Sequence, residues 1–439
     1  MQRRTFIKKS TTTAVGLGLL GAAHWQGNRV SNKLRVNGVR IESRIQELAK
    51  YGRDETGHGY RVAYTQGDVE GRTWFMELMK KAGLEVSIDT GGNILGKRAG
   101  KKVGLKPIAF GSHIDMVPDG GNYDGTLGSL SALEVIEILN ENKITTHHPL
   151  EVIIFANEEG GLIGSRAMAG NMTAAGLQQK SQSGLLMAEG IKKIGGDPDR
   201  IGACIRKPGD FHAFVELHIE QGGTLEKENL QIGVVEGIVG IVDWEVTVEG
   251  FANHAGTTPM NLRQDALLAA SKLVVMVNEV IKSYPGGQVG TVGKISAWPG
   301  AYNVVPGKVT LGLEIRDLSA DKIEQLFGEI EKRATTLASD TKTKIRFERQ
   351  ASAVKPALTD KRLQQQIDAA AKALGLTTKL MPSGAGHDTQ QMASLAPVAM
   401  IFVPSVGGIS HSPNEYTKPE DMTNGANVLL QTILAIDAE

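Results

Sequence analysis

The sequence predicts an α/β protein: a doubly wound, largely parallel sheet, interrupted by an inserted ferredoxin-like α+β domain. Residues 39–235 alternate apolar strand segments with helical segments, which is typical of a parallel sheet covered on both faces. Residues 236–352 follow the order β-α-β-β-α-β, and the helix–strand alternation resumes over 353–439. A chain of 439 residues is long enough for two such domains.

In the first part of the main domain, apolar periodicity predicts helices over 44–52, 70–83 and 126–142. Short apolar runs predict strands over 106–117, 150–156 and 211–222. Each of these three strands ends in polar residues. The main domain is therefore expected to present polar side chains at one edge of its sheet.

The inserted domain is predicted from two long helices, over 264–284 and 321–341, each flanked by strands. The strands are expected over four segments: 243–250, 288–298, 308–318 and 344–351. This order is that of a two-layer α+β unit. We expect such a unit to act as a dimerisation or lid domain only by resemblance, as described below.

Composition excludes some classes of protein. Lys and Arg total 48, as do Asp and Glu, so the formal net charge is zero and the basic surplus of a nucleic-acid binder is absent. Cys204 is the only cysteine, which excludes an intramolecular disulfide and a cysteine-based zinc site.

Residues 1–23 have the build of an export signal. Arg3 and Arg4 begin a basic stretch, an apolar stretch starts near Ala14, and Gly21 to Ala23 are small. The paired arginines resemble a twin-arginine signal, which predicts a periplasmic or exported protein, or a cytoplasmic one if the signal is not used. The apolar stretch is too short for a membrane span, and no later segment reaches spanning length.

Histidines and carboxylates follow the predicted strands. Because the carboxyl ends of parallel strands meet at one edge of a sheet, these side chains can converge although they are far apart in the chain. A late loop adds one more histidine. The candidates are His113, Asp124, Glu158, Glu159, His218 and His411.

Imidazole and carboxylate ligands without sulfur suit zinc, manganese or cobalt. The candidates are too many for one four-coordinate ion and fit two ions that share a bridging carboxylate. Asp115 lies two residues after His113 and is expected to fix the ring of that histidine. Any one of these residues alone is more often an ordinary polar residue at the surface. Together, at successive strand ends, they favour a metal site.

The motifs identify a family. GSHIDMVPDGGNYDG, NEEG, ELHIEQG, GFANHAGTTPMNLRQDAL, YNVVPGKVTLGLEIRD, SGAGHDTQQMA and GISHSPNE resemble the dinuclear-metal amidohydrolases that include N-carbamoyl-L-amino-acid hydrolase, allantoate amidohydrolase and bacterial β-ureidopropionase. These belong to a superfamily with aminoacylases and carboxypeptidases. The resemblance runs from about residue 45 to the C-terminus.

The resemblance implies a role for each candidate. Asp124 bridges two divalent ions, with zinc expected in preference to manganese or cobalt, and Glu159 is a ligand of one ion and His218 of the other. His113 and His411 complete the ligand sets. Glu158 is the general base that moves a proton from the attacking water to the leaving nitrogen.

The resemblance also implies residues outside the metal site. His254 reaches the active site of the other subunit of a homodimer and stabilises the oxyanion. Asn303 and Arg316 hold the substrate carboxylate, for which a bidentate guanidinium is suited. Gln221 contacts the substrate, and His387 supports the metal ligands or the substrate.

The expected reaction is hydrolysis of the ureido C–N bond of an N-carbamoyl-L-amino acid or related ureido acid by a metal-bound hydroxide, which releases amino acid, carbon dioxide and ammonia. The alternatives are an allantoate amidohydrolase and an N-acyl-amino-acid or dipeptide hydrolase. One stretch departs from the relatives: EEGGLIGS stands where they usually continue EEG with an Arg-Phe pair. Substrate choice therefore stays open at this point.

Two non-enzymatic functions are the remaining alternatives. A metal-carrying domain needs Glu159 but no second carboxylate, so the presence of Glu158 argues against it. An interaction module built on the inserted unit predicts dimerisation without catalysis, and then His254 has no part in turnover.

Overall fold

The computed structural model describes residues 34–350 and 353–439. The predicted signal at residues 1–23 lies outside these residues. The strands in the described part are β1 Glu85–Ile88, β2 Ile94–Arg98, β3 Ile108–His113, β4 Leu150–Phe155, β5 Ala213–Ile219, β6 Ile232–Ile238, β7 Gly240–Glu249, β8 Asn253–His254, β9 Val289–Trp298, β10 Val304–Val305, β11 Lys308–Asp317, β12 Lys344–Arg349, β13 Ala357–Leu358, β14 Thr378–Ser383 and β15 Val398–Val403.

Helices cover both faces of the larger sheet and one face of the smaller sheet. They are α1 Gly38–Leu48, α2 Gln66–Lys81, α3 Thr126–Glu141, α4 Ile163–Met168, α5 Ala174–Leu177, α6 Met187–Lys193, α7 Thr224–Glu228, α8 Ala266–Ser283, α9 Ala320–Thr341, α10 Lys361–Ala373, α11 Asp388–Met392 and α12 Pro419–Asp437. Short 3-10 turns lie at Pro198–Cys204, Met260–Leu262 and Val406–Gly408.

The larger sheet is mixed and contains nine strands, in the order β1-β2-β4-β3-β5-β15-β6-β13, with β14 also paired to β6. Its centre is parallel, because β3 pairs in parallel with both β4 and β5, and β5 with β15. The pairings toward either side, β2 with β4 and β6 with β15, are antiparallel. The prediction of an α/β fold with a largely parallel sheet is confirmed.

The central strands are apolar and buried along their whole length, as parallel strands between two helical layers must be. All residues of β3, β4, β5 and β15 are buried. Helices α3 and α12 pack their apolar faces against one side of the sheet in a single core. This packing fixes the strand ends, and with them the side chains that follow.

The smaller sheet contains four antiparallel strands in the order β12-β7-β11-β9. With α8 and α9 on one face, it has the predicted β-α-β-β-α-β order and its own apolar core. A two-stranded ribbon of β8 and β10 lies in the loops that join these elements. The domain limits at residues 236 and 352 remain a prediction.

Among the described residues, no helix is both long and apolar enough to cross a membrane.

Candidate metal centre

The predicted site residues lie at the carboxyl ends of the parallel strands. His113 is the last residue of β3, His218 is next to last in β5, and Glu158 and Glu159 follow β4. His411 lies in the loop after β15. The structure therefore brings together side chains from four neighbouring strand ends, as sheet topology alone predicts.

Asp124 lies between the histidines. Its Oδ1 is 3.0 Å from Nε2 of His218 and 3.6 Å from Nε2 of His113. All three side chains are buried, and their ligand atoms are close enough to surround one cation. The first candidate metal group is thus His113, Asp124 and His218.

The other oxygen of Asp124 faces a second group. Its Oδ2 lies 3.1 Å from Nε2 of His411, and the same ring nitrogen lies 3.4 Å from Oε2 of Glu159. These three residues form a second candidate metal group. Asp124 belongs to both groups, which is the geometry expected of a bridging carboxylate.

The backbone selects the tautomer of both buried histidines. Nδ1 of His113 lies 3.1 Å from the carbonyl oxygen of Asp115, and Nδ1 of His218 lies 2.9 Å from that of Ile219. A carbonyl only accepts, so Nδ1 carries the proton in each ring. Nε2 therefore faces Asp124, and it offers a lone pair to a cation once the proton retained in the metal-free site has been displaced.

Gly125 makes the turn that lets Asp124 approach these rings. Its φ of 60° lies in the left-handed region, and a Cβ at this position would come within 2.4 Å of the His113 ring. The Gly125 N–H also lies 3.2 Å from Nε2 of His218. The glycine of the motif NYDG is therefore required by contact as well as by backbone conformation.

Carboxylates dominate the electrostatics of the metal-free site. Burial lowers the pKa of His113, but Glu158 and Asp124 outweigh it and hold that pKa well above its ordinary value. The hydrogen bond with Asp124 raises the pKa of His411 to about 9. The excess negative charge that retains these protons is what a divalent cation would neutralise.

Glu158 stands apart from the two metal groups. Its Oε2 lies 3.8 Å from Nε2 of His113, and its side chain is 8% exposed. Burial raises the pKa of Glu158 well above its ordinary value, and the neighbouring Glu159 raises it further, while His113 opposes the change. A carboxylate with a raised pKa beside a metal site is suited to accept a proton.

Asp115 acts differently from the prediction. The ring of His113 is held by the Asp115 backbone carbonyl, whereas the Asp115 carboxylate is 3.8 Å from Nδ1. The carboxylate instead accepts the backbone N–H groups of Glu158 and Glu159, at 3.3 and 3.2 Å. It is drawn there because these two N–H groups at the strand end have no ladder partner.

Gln221 and His387 also lie at the site. Nε2 of Gln221 donates to Oδ2 of Asp124 at 2.8 Å, so Gln221 contacts the shared carboxylate directly. His387 is buried, its ring is 4.5 Å from that of His218, and its Nε2 lies 2.8 Å from the Ser383 hydroxyl. Burial and His218 hold the pKa of His387 well below its ordinary value, so this ring is neutral.

Glu415 is a residue of the site that was not predicted from the sequence. Its buried carboxylate accepts the N–H groups of Tyr123 and Asp124, at 2.9 and 3.1 Å. It also accepts the Ser410 hydroxyl at 2.9 Å and the His411 N–H at 3.3 Å. The signal was its place four residues after His411 in the motif SHSPNE.

His254 is the last residue of β8 and Asn303 directly precedes β10, and both are exposed. Nδ1 of His254 accepts the N–H groups of Gly256 and Thr257, at 3.0 and 3.2 Å, so Nε2 carries the proton and is a free donor. In the described part of one chain, neither residue bonds to a metal-site residue.

Arg316 is committed within its own chain. Its guanidinium donates to both oxygens of Glu314, at 2.7 and 3.0 Å, and to the carbonyl of Gly384 at 2.7 Å. Gly384 belongs to the loop that leads to His387. Arg316 therefore links strand β11 of the smaller sheet to the loop before His387. Its guanidinium already binds a carboxylate, that of Glu314.

Comparison with known proteins decides the family. The profile of peptidase family M20/M25/M40 matches residues 109–435, which include all the candidate metal ligands. The chain belongs to this family. The predicted relationship to its amidohydrolase branch is confirmed by the proteins that follow.

Among the relatives of this M20-family chain, an N-carbamoyl-L-amino acid amidohydrolase of Geobacillus stearothermophilus is 40% identical over 403 residues, 91% of this chain and 98% of the relative. A ureidoglycolate hydrolase of Arabidopsis thaliana is 36% identical, over 93% of this chain and 89% of the relative. The crystal structure of a hydantoinase/carbamoylase family amidase from Burkholderia multivorans matches with a TM-score of 0.87 and 37% identity, covering 92% of this chain and 99% of that one.

The residues of this M20-family chain fit the metal dependence of the family. The two groups offer only imidazole nitrogens and carboxylate oxygens, a donor set that suits zinc, manganese or cobalt. Both Nε2 lone pairs of the buried histidines face the shared Asp124. The site is therefore prepared for cations, while their identity and number belong to the proposal below.

Proposed function

We propose that the chain is a metal-dependent amidohydrolase that cleaves the ureido C–N bond of N-carbamoyl-L-amino acids. The proposal is carried by the position of Asp124, whose two carboxylate oxygens face two separate groups of candidate metal ligands. Glu158 lies beside the first of these groups, at His113. The similarity to N-carbamoyl-L-amino acid amidohydrolases over nine-tenths of the chain supports this substrate class.

We propose two divalent ions, zinc in preference to manganese or cobalt. His113 and His218 would hold one ion, Glu159 and His411 the other, and Asp124 both. When bound, the ions supply Lewis acidity and lower the pKa of the attacking water. Glu158 takes a proton from that water and delivers it to the leaving nitrogen. Hydrolysis of the carbamoyl group then yields the amino acid, carbon dioxide and ammonia.

Substrate orientation falls to residues around the two ion sites. Gln221 is close enough to Asp124 to contact a bound ureido group. Arg316 and Asn303 would bind the substrate carboxylate, and for Arg316 this requires exchange of Glu314 for the substrate. Arg316 then keeps its bond to the Gly384 carbonyl and stays next to the site.

We propose a homodimer in which His254 completes the partner's site. Its Nε2–H is a free donor, suited to the oxyanion of the tetrahedral intermediate. Large apolar side chains are exposed in the segment around His254, residues 251–262, and in the segment before β10, residues 298–302, as is common at interfaces. They are Phe251, Met260, Leu262, Trp298 and Tyr302.

We propose export for the N-terminal segment at residues 1–23, on the strength of its sequence alone. Cell fractionation of the full chain beside an Arg3→Lys/Arg4→Lys variant tests this: transport should fail in the variant. Equal amounts outside the cytoplasm would contradict it.

An ammonia assay tests the reaction. Purified protein is loaded with zinc, manganese or cobalt and incubated with N-carbamoyl-L-amino acids, their D-enantiomers, allantoate, β-ureidopropionate and dipeptides. The proposal expects ammonia and free amino acid from the L-carbamoyl compounds in preference to the others. Release of ammonia only from allantoate, or cleavage only of dipeptides, would contradict it.

A further inference from the structure

A cavity of about 1070 Å³ adjoins the metal centre. One wall is the stretch after Glu159, with Gly161 and Leu162. A second wall includes Gly386, which directly precedes His387, and Gln390. The third is the segment by which the chain returns from the smaller sheet, with Lys355. The volume is ample for an amino-acid side chain.

The cavity is joined to the catalytic base through the backbone. The N–H groups of Gly161 and Leu162 donate to the carbonyl of Glu158, at 3.0 and 2.8 Å. Leu162 holds a left-handed φ of 59° at the start of α4, a conformation that a leucine adopts at some cost. The wall that carries Gly161 and Leu162 is therefore tied directly to the backbone of Glu158.

The charged lining of the cavity is positive. Arg166 and Lys355 line it, and no Asp or Glu is among the described lining residues. The half-buried Arg166 donates to one carbonyl, that of Asn171 at 3.4 Å, which leaves most of its N–H groups uncommitted. The ammonium of Lys355 has no bonding partner among the described residues. Two uncommitted cations in one cavity favour an anionic guest.

Gln390 joins two walls of the cavity. Its Nε2 donates to the carbonyls of Lys355 and Val239, at 2.8 and 3.2 Å. These bonds hold the backbone of Lys355 against the wall that carries Gln390 and so fix the position of one of the two cations.

We propose that this cavity receives the side chain of the substrate's amino-acid part and selects an acidic one. N-carbamoyl derivatives of acidic L-amino acids carry a side-chain carboxylate that Arg166 and Lys355 can bind. The inference rests on the function proposed above and specifies its substrate. The stretch that forms one wall is also the one that departs from the relatives' pattern.

The test compares matched side chains. N-carbamoyl-L-glutamate and N-carbamoyl-L-glutamine have the same size and differ in charge, and N-carbamoyl-L-alanine leaves the cavity empty. For the wild-type metal-loaded enzyme, kcat/KM should be at least about tenfold higher with glutamate than with glutamine. Arg166→Gln should remove most of the preference for the glutamate compound without changing turnover of the alanine compound. Arg166→Lys should retain part of that preference.

Arg200→Gln is the control, because Arg200 is an exposed cation outside the cavity lining, paired with Asp197. The ratio of kcat/KM with the glutamate compound to kcat/KM with the glutamine compound should be the same in Arg200→Gln as in the wild type. Equal wild-type rates with glutamate and glutamine would overturn the inference. An equal loss of kcat/KM with all three substrates in Arg166→Gln would also overturn the inference, because Arg166 would then have a structural role.

Binding separates this inference from the reaction itself. Calorimetry of the same glutamate and glutamine compounds with metal-loaded Glu158→Gln protein measures side-chain preference without turnover. Failure of the wild type to release ammonia from any ureido acid would contradict the proposed function alone. Absence of a binding preference for the acidic compound would contradict the cavity assignment, whatever the reaction proves to be.

Discussion

The carboxylate of Glu415 holds the backbone of Asp124, with Oε1 accepting its N–H at 3.1 Å. The other oxygen, Oε2, accepts the N–H of His411 at 3.3 Å. One buried side chain therefore fixes both the shared carboxylate and the histidine that faces its second oxygen. Four hydrogen bonds in total end on this carboxylate, more than an amide oxygen can accept with one atom.

Glu415→Gln is expected to weaken metal binding about 10- to 100-fold, because the amide cannot accept on both of its ends and the loops of Asp124 and His411 lose their common anchor. Metal affinity is measured by competition with a chromogenic chelator. Glu420→Gln serves as the control, since Glu420 is exposed at the start of α12. Unchanged affinity in Glu415→Gln would show that the anchor is dispensable.

Glu158→Gln and Glu159→Gln should fail in different ways. Loss of the base lowers kcat about 10²- to 10⁴-fold and leaves the metal content unchanged. Loss of the ligand removes metal together with activity, because Glu159 belongs to a candidate ligand group and Glu158 does not. Metal analysis and ammonia release on the same preparations separate the two. Full turnover by Glu158→Gln would remove its assigned role.

His254→Ala is expected to lower kcat by about 10²- to 10³-fold if its Nε2–H stabilises the oxyanion. When this variant is mixed with Glu158→Gln and the subunits exchange, one site in each hybrid dimer regains both residues. About a quarter of the wild-type rate should return for random exchange in a two-fold dimer. No recovery, with hybrids verified by mass, would place His254 in its own subunit's site or outside catalysis.

Metal binding should release protons and strengthen as pH rises. In the metal-free site the pKa of His411 is raised to about 9, so this ring carries a proton at pH 7 that a metal must displace. Below that pKa, affinity falls as the pH falls; above it, the dependence on this group disappears. Calorimetry in two buffers of different ionisation enthalpy counts the protons. His411→Ala should release fewer, and an equal number would contradict the assignment.

Much of the fold follows from local pattern. The strand that ends at His113, the strand that precedes Glu158 and the strand that carries His218 were predicted because apolar runs stop at polar residues. Two helices begin earlier than predicted, at Gly38 and Gln66, which is between one and two turns. Asn37 and Thr65 cap them by accepting the N–H groups of Arg40 and Asp68, and these caps lie before the apolar periodicity starts.

The parts of the site that sequence did not reveal depend on contacts between distant segments. Glu415 bonds to Asp124 across 291 positions of the chain. Arg316 donates to the Gly384 carbonyl across 68 positions of the chain. The direction of Asp115 follows from unpaired N–H groups after β4. None of these is visible in periodicity, because each is decided by packing of the whole sheet.

In the proposed catalytic site, Asp124 joins two metal ions. Metal-free protein, prepared with a chelator and verified by metal analysis, is titrated with zinc while ammonia release from an N-carbamoyl-L-amino acid is followed. We expect no activity without metal and a plateau at two equivalents per chain. A plateau at one equivalent, or turnover by the metal-free protein, would contradict the two-ion site.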